Sequence, residues 1–508
     1  MGLRAPLMFC VVLAAGAASA TENRPLSVID WLNDLEITAA VPRDSSDVTD
    51  GVETPQVTVT PLEGETPRQI GLAPASVTGL PGNVWSDTPG ADLAAAIATL
   101  PDPQLPAAQA LTYTVLLAES DPPTEDETAF HLARIDGLIR YGALDPALAM
   151  LEQIGPERSG DYFQRYLDIS LLNGTPDRAC GILAAEPALA PSETERIYCL
   201  ARQGEWDTAA LVLGSADAIG VMDPLMAEAL ARFLDPDLFE SSAPMEPPQQ
   251  ITPLLFRLFE TAGQRLPTVK LPRAFAHTDL DGSAGWKAQI QSAERLSRSG
   301  AMPANRLIGI YSDGRPAASG GVWDRVRAIQ LFDTALSTNS ADAVAKTLPG
   351  AWAQMRAAGL TVPFAQFYAD QIPYRALDGA AADIAYRVLL LSPDYETAAT
   401  TLPDRARARP FLQQIALGAP SDLANLSSLE QAIADAFAPD AAPDATLVAQ
   451  SRNDALGLSI LQSLPMLEDG AAGDAARLER TLATLRAWGL EDTARSAALQ
   501  ILITRTVR

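Results

Sequence analysis

One short pattern limits what this chain can fold into: a Gly, an Asp three residues on, and an Ala two after that. It occurs at Gly142/Asp145/Ala147, Gly174/Asp177/Ala179, Gly204/Asp207/Ala209 and Gly489/Asp492/Ala494. The first three copies follow one another at 32 and 30 residues. A Gly falls where a helix must stop, because a left-handed C-terminal residue costs Gly little. The Asp is then expected at the N-cap of the next helix, accepting from its free amides. Pro146 fits the first helical position after Asp145. The Ala is small enough to let a paired helix approach closely. Leu132, Ile135, Leu138 and Ile139 make an apolar stripe before the first turn, and Leu148, Leu151 and Ile154 make another after it. The expectation is an all-α protein built of helix pairs.

These residues resemble a degenerate tetratricopeptide repeat. Members of that family carry a Gly before the turn within each repeat and an Ala five residues later, as do Gly142/Ala147, Gly174/Ala179 and Gly204/Ala209. Trp206 stands where an aromatic is often found. The resemblance covers residues 128–218, with echoes around Gly300, Gly359 and Gly489. Its spacing is shorter than the family's, and Ile135, Leu167 and Ile197 stand where the family prefers a small residue. The resemblance implies a right-handed α-α solenoid, a shape that offers a long surface to protein partners.

The first twenty residues read as a cleavable export signal. Arg4 precedes the apolar run Leu7 to Ala18, and Ala18-Ser19-Ala20 is a cleavage site, which predicts a periplasmic chain beginning at Thr21. No later stretch is long and apolar enough to span a bilayer. Without the leader, 36 basic residues face 63 acidic ones, a net charge of −27. That balance argues against nucleic acid, whose phosphates need a basic face, and suits a basic partner.

Five segments are expected: the leader 1–20, an extended and partly disordered arm 21–90, a helical-repeat domain 91–240, a linker 241–253 and a second helical domain 254–508. The arm holds a capping-box pattern at Ser27–Asp30 leading into Trp31 and Leu32, and an alternating run over 56–60. Either segment could dock on another protein, or the arm could lie across the helical body. The stretch Ile70–Trp85, broken by Pro74, Gly79, Pro81 and Gly82, should be extended.

Cys180 and Cys199 are the only cysteines left after leader removal. An even count in an exported chain suggests a disulfide. Cys180 lies seven residues before the turn Pro187–Pro191 and Cys199 eight after it, so the two face one another in an antiparallel hairpin.

The search for chemistry is less productive. His131 and His277 share no ligand spacing, and no protease, hydrolase or phosphate-loop pattern appears. Asp279-Leu-Asp281-Gly282 begins like a calcium loop but lacks the later acidic ligands, so it reads as a polar turn. The most unusual loop is Gly314–Gly321, whose Arg315 and following helix start, near Trp323, could hold an anion. No cofactor or metal is expected. The reading is a non-catalytic periplasmic scaffold for an envelope protein or an extended peptide. The alternative is a peptidoglycan-binding accessory protein, similar in shape to the superhelices of lytic transglycosylases but lacking their catalytic domain.

Overall fold

The computed structural model describes residues 69–401, 409–420, 425–453 and 455–504. The expected leader, the Trp31/Leu32 segment and the alternating run at 56–60 lie outside the described residues. Among the described residues every regular element is helical. Strand-type pairing is confined to two single bridges, Ile70 with Ser120 and Ala73 with Ala118.

From Gly90 onward the chain runs as short helices, many of them packed on a neighbour in sequence. Helix Glu127–Tyr141 packs on Leu144–Ile154, and Glu193–Arg202 on Trp206–Ala218. Further along, Val322–Ser337 packs on Ala341–Ala357, and Leu456–Ala472 on Ala475–Ala487. Gly142 and Gly204 make the first two of these turns, while the third turns at Asn339 and the fourth at Gly473, both with positive φ. Gly142, Gly174, Gly204 and Gly489 have φ of 84°, 74°, 88° and 81°. At each, the next residue's N–H reaches back to close the helix end: Ala143 to Leu138, Thr175 to Ser170, Glu205 to Leu200 and Leu490 to Leu485, at 2.8–2.9 Å. This six-residue closure satisfies carbonyls that would otherwise be orphaned, and it turns the chain back on itself. Gly263, Gly300 and Gly359 close helices in the same way.

The Asp of the pattern is not an N-cap, which corrects the sequence reading. Asp177 is the first residue of its helix, while Asp145, Asp207 and Asp492 are each the second. The next helix restarts within a few residues of the Gly, with Ala143, Pro176 and Glu205 at the cap positions, so the Asp falls in the first turn. There its carboxylate meets the positive end of the helix dipole rather than bonding the free amides. Pro146, expected at the first helical position, is likewise the third residue of helix Leu144–Ile154. Ala147, Ala179, Ala209 and Ala494 have no exposed surface. A larger side chain at any of them would push the neighbouring helix away.

The stretch Ile70–Trp85, expected to be extended, includes the helical turn Ala75–Thr78. Ile70, Ala73, Leu80, Val84 and Trp85 are buried. Buried Arg134 anchors it. Its guanidinium donates to the carbonyls of Ile70, Leu116 and Ala118 at 2.8–3.0 Å, and it lies over the Phe130 ring.

Two long-range junctions bring distant parts of the chain together. Helix Pro253–Thr261 packs on Gly160–Leu172, with Arg257 donating to the carbonyls of Leu171 and Leu172. Met245, within the 241–253 stretch, is buried and bonded to Gln264. At the second junction, helices Gly90–Ala98 and Pro106–Leu117 pack on Leu456–Ala472, and Pro106–Leu117 also packs on Glu491–Thr504. Glu468 accepts from the amides of Gln104 and Leu105, and Gln500 from that of Ala107. These two side chains from the far end of the chain cap the free amides at the start of helix Pro106–Leu117. One contiguous apolar core therefore runs from Ile70 to Ile503.

Candidate functional site

The pattern turns are structural joints with unequal surroundings. His277 donates to the Gly142 carbonyl at 2.6 Å from 135 residues away, and Leu296 and Arg273 crowd the same glycine. Arg273 in turn pairs with Asp102. Gly174 lies under Arg257, whereas Gly204 and Gly489 face open space. Asp177 pairs with Arg202 of the next helix pair, and Asp492 accepts from the Tyr395 hydroxyl at 2.6 Å. These two Asp side chains thus tie neighbouring elements together.

Cys180 and Cys199 form a disulfide with Cα atoms 4.8 Å apart. Both are buried. The bond joins helix Asp177–Ala185 to helix Glu193–Arg202 across the Pro187–Leu189 turn.

The residues with calcium-loop spacing are committed internally. Asp279 is buried and accepts from Thr268, Ser292 and Arg265. Asp281 accepts from Ser283. No group of three or more potential metal ligands exists among the described residues. His131 is buried against Phe130, and burial, followed by the charges of Arg134 and Arg158, pushes its pKa down to about 3.

Two shallow, open clefts flank the Gly314–Gly321 loop. On one side, a cleft of about 490 Å³ is lined by Ser312, Gly314, Arg315, Gln330, Asp333 and Thr334. On the other, a cleft of about 560 Å³ is lined by Trp286, Lys287, Gln291, Ala317 and Trp323 with their neighbours. Arg315 and Trp323, singled out together in the sequence, thus line two different clefts. The anion reading of the helix start meets a competitor within the chain, because Asp324 already accepts from the Gly320 amide at 3.0 Å.

Both clefts rest on a rigid base. Glu294 is buried and receives a two-pronged Arg325 at 2.6 and 2.7 Å and the Tyr311 hydroxyl at 2.9 Å. Gln330 bonds the carbonyls of Tyr311 and Gly314, fixing the loop's entry. The two tryptophan rings lie 5.3 Å apart, tilted at 48°. Trp286 donates to the Ile310 carbonyl at 2.8 Å, which holds its ring in place.

Several lining groups are already committed within the fold. Ser312 and Thr334 spend their hydroxyls on carbonyls of their own helices. Asp333 accepts from Tyr368 at 2.6 Å, and burial raises its pKa. What remains is a guanidinium, an ammonium, an amide and a tilted aromatic pair. These groups can grip a carboxylate, a peptide backbone or the face of a ring.

Sequence reasoning passed over Trp286, Glu294 and Arg325. A buried Glu one helix before a Gly-rich loop carries no local signature, and only the folded register brings Arg325 onto it. Comparison with protein-family models, with curated proteins and with solved structures returned no match.

Proposed function

We propose that this protein is a non-catalytic helical-repeat scaffold of the bacterial periplasm, a right-handed α-α solenoid that binds an envelope protein or an extended peptide. The observation that carries this reading is the recurrent glycine closure. It pairs helix with helix at several points along the chain, and the two clefts beside the Gly314–Gly321 loop offer a surface for a partner. The Cys180–Cys199 disulfide suits an oxidising compartment, as the leader-like first twenty residues do. No helix among the described residues is long and apolar enough to cross a membrane.

The test is cross-linked capture from periplasm with the chain 21–508, compared with an Arg315→Ala/Trp323→Ala variant. Specific partners that are lost with the variant support the scaffold and its clefts. Identical capture with an unrelated acidic periplasmic protein as bait sinks it.

A second reading rests on the Trp286/Trp323 pair beside Lys287 and Gln291, because tilted aromatics flanked by donors also suit sugar rings. Under that reading the protein is a peptidoglycan-binding accessory. Co-sedimentation with purified peptidoglycan that depends on Trp323 would favour it over the first.

A further inference from the structure

Eight large apolar side chains stand exposed among the described residues, and five of them fall between 206 and 238: Trp206, Leu211, Ile219, Val221 and Leu238. Leu211, Ile219 and Leu238 are more than 70 % exposed. Helix Trp206–Ala218 has only Ala209 and Ala216 buried. Its outward face reads Asp207, Leu211, Gly214 and Ala218, spaced as successive turns. Leu211 therefore rises from a face that is otherwise small and flat. Trp206 lies 5.9 Å from Phe233, which stacks on Tyr198, so the edge of the face has an aromatic support. Val221, whose amide closes the helix at Gly220, is 65 % exposed rather than folded back on that end.

The charges around this face identify what fits it. Between Gln203 and Gln250 there are nine acidic residues and one basic residue, Arg232. Arg232 is buried and committed to Glu228 and the Ala243 carbonyl. All the carboxylates but Glu228 are exposed. A second copy of this face would bring like charge against like charge. The chain's own Trp31/Leu32 segment brings Asp30, Asp34 and Glu36 with it. Anionic lipid is repelled for the same reason.

We infer that the 206–240 edge is the docking surface for a cationic amphipathic helix of another protein. The helix would lay its apolar stripe over Leu211, Ile219 and Val221, with its lysines or arginines reaching the surrounding carboxylates. This inference rests on the scaffold reading and names one of its surfaces and the chemistry of the partner.

The test uses the chain 21–508 and two labelled 18-residue helical peptides, one Leu/Lys and one Leu/Glu, read by fluorescence anisotropy. The Leu/Lys peptide should bind, and the Leu/Glu peptide should be weaker by at least about tenfold. Leu211→Asp with Ile219→Asp, two exposed positions, should lose about tenfold or more while keeping the helical circular dichroism of the parent. Asp207→Asn with Asp217→Asn and Glu240→Gln should weaken binding severalfold and flatten its salt dependence. Equal affinity for both peptides, no Leu/Lys binding, or a self-dimer in sedimentation that Leu211→Asp abolishes would each overturn the inference. Binding lost through Arg315→Ala/Trp323→Ala and untouched by Leu211→Asp also overturns it, but leaves the scaffold reading standing on its clefts.

Discussion

Arg134 is held by three carbonyl oxygens and an aromatic face, at 1 % exposure. Arg134→Met should cost about 3 kcal/mol or more in urea unfolding, because it strands buried acceptors that no water reaches. Its neighbour His131 gives the fold an acid limb. Its folded pKa is depressed, so the unfolded chain binds the extra proton, and stability is lost as pH falls from about 6.5 toward 3. Glu127, 3.7 Å away, is half exposed and screened, and does not offset burial. Asp168 works the other way. Burial raises its pKa to about 6, so its contribution is present at low pH and is lost as pH rises through about 6. Urea midpoints between pH 4 and 8 should therefore rise above pH 5 in Asp168→Asn, and lose part of their acid decline in His131→Phe. At Cys180 and Cys199, replacement of both by Ser should lower stability by about 3 kcal/mol. The parent should show no free thiol after denaturation without reductant, and two would refute the bond. The cysteine pairing was legible because both partners sit in one short hairpin. Arg134 was not, since its acceptors are backbone atoms 16 to 64 residues away and leave no trace in side-chain pattern.

At the scale of the element, the glycine turns were legible because left-handed φ is a property of one residue and its immediate neighbours. The role of the Asp was misread for a related reason. Spacing alone does not distinguish a cap from the first helical turn, and here Ala143, Pro176 and Glu205 occupy the cap positions, which puts the Asp one or two residues further in. The copies also differ in ways only packing determines. Gly142→Ala adds a methyl 2.8 Å from Leu296, at φ 84°, whereas Gly489→Ala, at φ 81°, meets only open space. Gly489→Ala should cost about 1 kcal/mol from backbone strain. Gly142→Ala should cost about 1–3 kcal/mol more from overpacking. Equal thermal shifts for the two would show that the first turn does not bear on the 273–296 segment. The base of the clefts makes a parallel case. Glu294→Gln should destabilise the protein and blur the loop between them, because it breaks a buried two-pronged pair.

Across the whole molecule, the chain was expected to divide at 241–253 into two helical halves. Described residues on both sides of that stretch belong to one apolar core, and the early helices pack against the last ones. Composition marks proline-rich stretches but not what packs on them. Contacts such as Glu468 on Gln104 carry no local signal. Gly457 tests the joint: a methyl there would lie 2.3 Å from the Trp85 ring and 2.7 Å from the Val84 carbonyl. Gly457→Ala should therefore loosen helices Gly90–Ala98 and Pro106–Leu117 in hydrogen exchange as strongly as its own helix. Loosening confined to 456–472 would mean the ends fold independently.

That joint also sets a schedule for biogenesis. Helix Pro106–Leu117 receives its amide caps from residues made some 360 positions later. At about 5–20 residues per second, the start of the helix waits on the order of 20–70 s for them. Through that interval Leu105, Leu111 and Leu116 lack their final covering. If the chain is exported as proposed, an early half that cannot finish folding is easier to thread through a narrow translocation pore. It is also the stretch that a chaperone would have to shield until the C-terminus arrives.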